Sequence, residues 1–133
     1  MISYESEIFT RIATRLRSEF EDVFVANTLN LNPAKFPCVF IEEADNYIAA
    51  DTSDTGSIEN HAVVMYEINV ITNKQSGKKQ QAKEIMSVID EELLALNFRR
   101  QTLQPYSMAD STKYRLVSRY RALTDKNKVF YRR

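Results

Sequence analysis

The stretch HAVVMYEINVITNKQSGKKQQAKEIMSVIDEELLAL, residues 61–96, contains the strand and the helix that decide the fold. Apolar and polar side chains alternate from His61 to Thr72. This period of two predicts a strand with one buried face. That face consists of Ala62, Val64, Tyr66, Ile68 and Val70. Glu67 and Asn69 fall on the other face, where we expect them to contact water.

In the second half of the stretch, apolar residues recur every three or four positions. They are Ala82, Ile85, Met86, Ile89, Leu93 and Leu96. This spacing predicts an amphipathic helix whose apolar stripe covers a sheet. Ser76 is the expected N-cap, Gly77 allows the turn before the helix, and Asn97 is expected to take the left-handed conformation after it.

The rest of the chain offers shorter patterns. A first helix is predicted from about Ser3 to Glu19, and residues 125–133 are either a short strand or a tail. The other predicted strands are Asp22–Ala26, Phe36–Glu43, Phe98–Pro105 and Lys113–Thr124. The sequence therefore predicts an α+β fold: a mostly antiparallel sheet of four to five strands packed by two helices, in the order α-β-β-β-α-β-β.

Length and charge limit the classes of protein that fit. With 133 residues and 44% hydrophobic side chains, the chain suits a single domain spanning residues 1–133. Its 18 basic and 18 acidic residues balance, so no net charge attracts nucleic acid or an anionic membrane. No apolar run approaches the roughly 20 residues that span a bilayer, and the first residues do not resemble a signal peptide. We expect a soluble protein, intracellular when made.

Residues for catalysis or metal binding are scarce. Cys38 is the only cysteine, which excludes an internal disulfide and suggests a small buried side chain. His61 is the only histidine, so a zinc site would need carboxylates almost alone. With only Gly56 and Gly77, no glycine-rich phosphate loop is possible. We predict no catalytic, cofactor-binding or metal-binding residue, and no enzyme activity. The adjacent acids Glu91 and Glu92 are interpreted as solvated charges.

Two segments of opposite charge stand out. Residues Ala44 to Asn60 contain no lysine or arginine, and we interpret them as a long exposed acidic loop or hairpin. Their acids of interest are Asp45, Asp51, Asp54 and Glu59. The turn before the second helix carries Lys74, Lys78 and Lys79. These charges either serve solubility alone or meet, within one subunit or between neighbouring subunits.

The basic C-terminal region, residues 113–133, has eight basic residues and one acid, Asp125. Alternation places Arg115, Arg119 and Arg121 on one face of the strand and Tyr114 and Tyr120 on the other. A platform for stacking nucleic-acid bases needs arginines and aromatics on the same exposed face. The pattern therefore favours a solvated or partner-facing arginine row, and base recognition is disfavoured.

Taken in order, these elements resemble the tail terminator and tail completion proteins of long-tailed bacteriophages, including those of contractile tails and tail-like particles. The resemblance covers nearly the whole chain. Besides the opening helix, the segments that carry it are FPCVFIE (36–42), YEINVIT (66–72) before the second helix, NFRR (97–100) and YRLVSRYR (114–121).

The resemblance implies a structural virion protein without enzyme activity or cofactor. Such proteins form a ring, usually a hexamer, that caps the tail tube and presents a surface to the head connector. The implied partners are further copies of the chain, the tail tube protein and head-connector proteins. DNA would pass through the lumen without sequence-specific binding, and no membrane is involved. The implied location is the head–tail junction of the virion, after assembly in the host cytoplasm.

A ring needs a heterologous interface, in which one patch meets a different patch on the next subunit. The candidate acidic patch is Asp45, Asp51, Asp54 and Glu59. The candidate basic patches are Lys74, Lys78 and Lys79, or the row Arg115, Arg119 and Arg121. Two other functions remain open: a head-side connector or minor capsid protein, and a small nucleic-acid-binding module.

Overall fold

A computed structural model describes residues 2–48, 61–125, 127 and 129–131. The elements in chain order are α1 (Glu5–Glu19), β1 (Phe24–Ala26), β2 (Cys38–Ile48), β3 (His61–Thr72), α2 (Lys78–Ala95), β4 (Arg99–Tyr106), β5 (Tyr114–Asp125) and β6 (Phe130–Tyr131). This confirms the predicted α+β class and element order. The end of the chain adds β6, so the described part has six strands where four to five were predicted.

All the strands belong to one sheet, ordered β1-β2-β3-β5-β4. β6 pairs with Leu123 and Thr124 of β5, beyond the end of β4. β1 runs parallel to β2, and every other described pair is antiparallel. The central ladder joins β3 to β5 along twelve residue pairs, from His61↔Asp125 to Thr72↔Tyr114. The strand with the clearest alternation in the sequence therefore lies at the centre of the sheet.

Both helices contribute to the core on one face of the sheet. α1 buries Ile12 and Leu16, and α2 buries Ile85, Ile89 and Leu93. The strands supply to the same cluster the five predicted β3 residues, together with Leu116, Tyr120 and Ala122 of β5. Full burial of an aliphatic side chain contributes about 1.5–3 kcal/mol. The amphipathic stripes of the sequence are thus the residues that hold the two layers together.

The C-terminal end of α2 agrees with the prediction, and its N-terminal end does not. Asn97 has φ 68°, as predicted, and the N–H groups of Asn97 and Phe98 donate to the carbonyls of Leu94 and Leu93. At the other end Gly77, with φ 87°, is the N-cap, and its side-chain-free backbone turns the chain directly into Lys78. The predicted N-cap Ser76 is therefore wrong, because the left-handed turn that glycine permits sets the start of the helix.

A smaller cluster lies on the face of the sheet opposite the helices. Cys38, Phe40 and Ile71 are buried there, packed by Leu29, Phe36 and Met108 among others. Cys38 is fully buried, as the sequence suggested, and this burial raises the pKa of its thiol to about 12. Asn69 on this face is only 1% exposed. Our expectation that it contacts water was wrong, because Arg115 donates to its Oδ1 at 2.8 Å.

The start of the acidic segment, interpreted as a loop or hairpin, is a strand. Ala44–Ile48 extend β2, and Asp45–Ile48 pair antiparallel with Ala62–Met65 of β3. A bulge between Glu43 and Asp45 adjusts the register. The polar composition hid this strand because its side chains are largely exposed. Residues 49–60 lie outside the described residues, and with them Asp51, Asp54 and Glu59.

Candidate assembly surfaces

The predicted arginine row lies on the helix-free face of the sheet. Arg115, Arg119 and Arg121 alternate along β5 with residues of the helix-side core, as the sequence indicated. Tyr120 is fully buried on the helix side, and its hydroxyl donates to Asp90 Oδ1 at 2.7 Å. Burial raises the pKa of Tyr120, and the bond to Asp90 raises it further. Tyr120 is therefore inaccessible for stacking on a base.

Two of these arginines are bound to side chains of their own sheet. Arg119 contacts Glu67 Oε2 from Nε at 2.9 Å and from Nη2 at 2.7 Å. Arg115 donates to Asn69, and its guanidinium lies 5.0 Å from the centre of the Tyr106 ring. Arg121 is partly buried, and its Nε has no hydrogen-bond partner in the part of the chain that the structure describes. The row is thus less available to a partner than its charge suggests.

The lysines lie around the start of α2. Lys74 is exposed in the turn, and Lys78 is the first helical residue, with its carbonyl accepting a hydrogen bond from the Thr72 hydroxyl at 2.7 Å. Lys79 borders a groove of about 460 Å³ between α2 and β4. The groove is also lined by Lys83, Met86, Asp90, Arg100, Leu103, Pro105, Tyr114 and Leu116, among others. Lys79 therefore belongs to the β4 side of the molecule.

Asp45 lies on the opposite side. It is exposed on β2, where its Oδ1 accepts a hydrogen bond from the Asn46 N–H at 2.8 Å. β3 and β5 separate β2 from β4 in the sheet, a distance of three strand spacings or about 14 Å. This arrangement disfavours a contact between Asp45 and Lys79 within one chain. Asp45 and Lys79 therefore lie toward opposite edges of the sheet.

Both lateral edges of the sheet include strand segments that pair with no further described strand. All eight residues of β4 are exposed, and among the described strands only β5 pairs with it. On the other side, β1 pairs with Cys38–Phe40 alone, so the outer side of Glu42–Ile48 meets no described strand. Unpaired strand edges present rows of free N–H and C=O groups to other chains. Strand order is not encoded in the pattern of one strand, so the sequence did not predict the open edges of β2 and β4.

The charges of Glu91 and Glu92 have a structural role. Arg11 Nε donates to Glu92 Oε2 at 2.8 Å, and Arg15 donates to Glu92 at 2.8 Å and to Glu91 at 2.9 Å. The hydrogen bond from Arg11 is the main cause that lowers the pKa of Glu92. Interpreting Glu92 as a solvated charge was wrong, because the packing of the helices brings Arg11 and Arg15 to it. Glu91 remains largely solvated, with its side chain 69% exposed. The ion pairs of Glu91 and Glu92 with these arginines connect α1 to α2.

Other kinds of site find no support in the described residues. No group of three or more histidine, cysteine, aspartate or glutamate side chains there could hold a metal ion. Neither α1 nor α2 has the length and apolar character to cross a membrane. No protein-family model and no curated protein sequence matches the chain.

Proposed function

We propose that this chain is a structural virion protein, a tail terminator that forms a hexameric ring, caps the phage tail tube and joins it to the head. The observation that carries the proposal is the separation of charge across the sheet. Asp45 lies on the β2 side, whereas the groove on the β4 side is lined by three basic residues, Lys79, Lys83 and Arg100, and one acid, Asp90. Together with the resemblance of the element order and sequence segments, this separation supports self-assembly as the activity.

A ring requires that each subunit use two different surfaces, one for each neighbour. Opposite charges on opposite sides of one molecule meet this requirement, because each acidic side faces a basic side in the next copy. The same charges disfavour a twofold dimer, in which like surfaces meet. Asp51, Asp54 and Glu59 follow Asp45 in the sequence and would add to the acidic side.

The partners that follow from this proposal are the tail tube protein, head-connector proteins and other copies of the chain. DNA would pass through the lumen. Arg119 is paired with Glu67, and Arg115 donates from Nε to Asn69, so two arginines of the row already use donors within the chain. We therefore expect at most weak, salt-sensitive contact with DNA, without sequence recognition.

Size-exclusion chromatography with light scattering, in low and in high salt, tests the self-association. We expect a ring-sized species whose stability falls as salt screens the contacts. The double variant Lys79→Glu, Lys83→Glu should dissociate more readily than the wild type. Arg17→Asp, at an exposed position on α1, is the matched control and should not change the assembly.

Partner choice separates the tail terminator from a head-side connector or minor capsid protein. The protein, tagged and co-expressed with a tail tube protein or with a portal or adaptor protein, should retain the tail tube protein. Retention of portal or adaptor protein alone would contradict the terminator and favour the head-side alternative. A mobility shift of DNA that persists at physiological salt and disappears on replacing Arg119 and Arg121 by alanine would favour the nucleic-acid-binding module.

A further inference from the structure

The two open edges of the sheet lie level with each other. Asp45 is the ladder partner of Met65, Met65 is the partner of Arg121, and Arg121 is the partner of Arg99. In the next row of the sheet, Glu43 pairs with Tyr66, Tyr66 with Tyr120, and Tyr120 with Arg100. The acids of the β2 edge are thus at the same height as the arginines that begin the β4 edge.

We propose that the outer edge of β2, Glu42–Ile48, pairs with the outer edge formed by β4 and β6 of the neighbouring copy, with Asp45 opposite Arg99. The sheet would then continue from subunit to subunit. This inference rests on the proposed function, since it names the contact by which the ring closes. The occupant of each edge is a second copy of the same chain.

Strand direction permits this pairing without turning the neighbour over. β2 is antiparallel to β3, β3 to β5, and β5 to β4, so β4 runs opposite to β2. A neighbour in the same orientation brings its β2 beside β4 as an antiparallel strand. Cyclic symmetry supplies such a neighbour, and antiparallel pairing gives a regular hydrogen-bonded ladder. The helix layers of both copies stay on the same side of the shared sheet.

Charge selects the same register. Asp45 and Arg99 are both exposed, and both stand on the helix-free side, level with Arg121. Glu43 would come beside Arg100 on the helix side, where Arg100 already contacts Asp90 at 3.2 Å. Cross-strand pairs of opposite charge stabilise a sheet. The β4 segment RRQTLQPY contains no acid, so no carboxylate of β4 would repel Asp45 or Glu43. A pairing of β4 with another β4 would instead gather four arginines.

Exposed aromatic side chains extend the match. Tyr47 pairs with Val63, Val63 with Leu123, and Leu123 with Tyr131 of β6, so the two tyrosines lie at the same height in the sheet. Both tyrosines are large and solvent-exposed in the single chain, 44% for Tyr47 and 41% for Tyr131. Pairing places them side by side and removes apolar area from water. The pairing would end at Leu103, because β1 of the neighbour already occupies the edge of β2 beyond that level. Pro105 also has no N–H to donate there.

Disulfide trapping tests the contact. The double variant Asp45→Cys, Arg99→Cys should form a ladder of disulfide-linked oligomers under mild oxidation, because each subunit then links to two neighbours. Each single variant should stay unlinked, since Asp45 meets Arg99 and not itself. Cys38 is fully buried and does not interfere. Dimers from either single variant would overturn the heterologous pairing.

Charge reversal provides a second measurement. Asp45→Arg and Arg99→Asp should each weaken self-association at least about tenfold, because like charges then face each other. The double reversal should restore it, whereas Arg17→Asp should have no effect. If wild-type rings form but neither trapping nor reversal changes them, the edge pairing is wrong and the proposed function stands. If the wild type forms no assembly and retains no tail protein, the proposed function itself fails.

Discussion

Arg119 on β5 and Glu67 on β3 form a two-donor contact across the central ladder, with Nε and Nη2 of the arginine at 2.9 and 2.7 Å from one carboxylate oxygen. The pair lies at the middle of the helix-free face, where the register places the two residues directly opposite each other. Positive charge that looked free in the sequence is therefore bound within the chain. Arg99, which is exposed at the start of β4, is better placed for a partner.

Replacing Arg119 by alanine tests this division of roles. Both side chains remain in contact with solvent, so we expect the free energy of unfolding to fall by at most about 1 kcal/mol. Self-association should be unchanged, in contrast to Arg99→Asp. Urea unfolding and light scattering measure the two effects. Loss of assembly in Arg119→Ala, with the fold intact, would show that the arginine row is the subunit contact.

The bond between Tyr120 and Asp90 joins the sheet to α2. Tyr120→Phe removes the donor to a charged acceptor, and we expect the free energy of unfolding to fall by about 1.5–3 kcal/mol. The exposed Tyr106 gives the matched control, Tyr106→Phe, whose change should be near zero. Equal effects of the two substitutions in chemical denaturation would contradict the buried bond.

Adjacent leucines at the end of α2 test the packing of the helix layer. Leu93 is fully buried, and Leu93→Ala should cost about 2–5 kcal/mol because a cavity is left behind. Leu94 is 37% exposed, and Leu94→Ala should cost much less. Thermal or urea unfolding of both variants compares them. The reverse order would mean that α2 presents a different face to the sheet.

The contact between the helices predicts a dependence of stability on pH. Arg11 and Arg15 lower the pKa of Glu92 below its ordinary value of 4.5. Because the folded pKa is the lower one, the stabilisation is present above pH 4.5 and is lost as the pH falls through the folded pKa. The difference in unfolding free energy between the wild type and Glu92→Gln should therefore shrink between about pH 7 and about pH 3. A difference that stays constant would contradict the pairing.

The sequence predicted the elements whose pattern reflects the core. β3 and the stripe of α2 were predicted correctly because burial imposes a regular period on their apolar residues. The left-handed Asn97 was predicted because few residues adopt that conformation easily. These features depend on local chemistry or on contact with a single neighbouring layer.

Features that depend on the order of strands were missed. The segment from Ala44 to Ile48 has the composition of a loop, and it joins the sheet by pairing with β3. The edge position of Arg99 and Arg100 follows from which strand ends the sheet. Glu92 and Arg11 are 81 residues apart in sequence, and their pairing likewise needs the packing of two helices. A charged side chain carries no periodic signal that reveals its partner.

Negative-stain electron microscopy of the purified wild-type protein is the direct test of ring formation. We expect closed rings with a central hole, in which every subunit contacts two neighbours through different surfaces. Single particles without a hole, together with a monomeric mass at every protein and salt concentration, would contradict it.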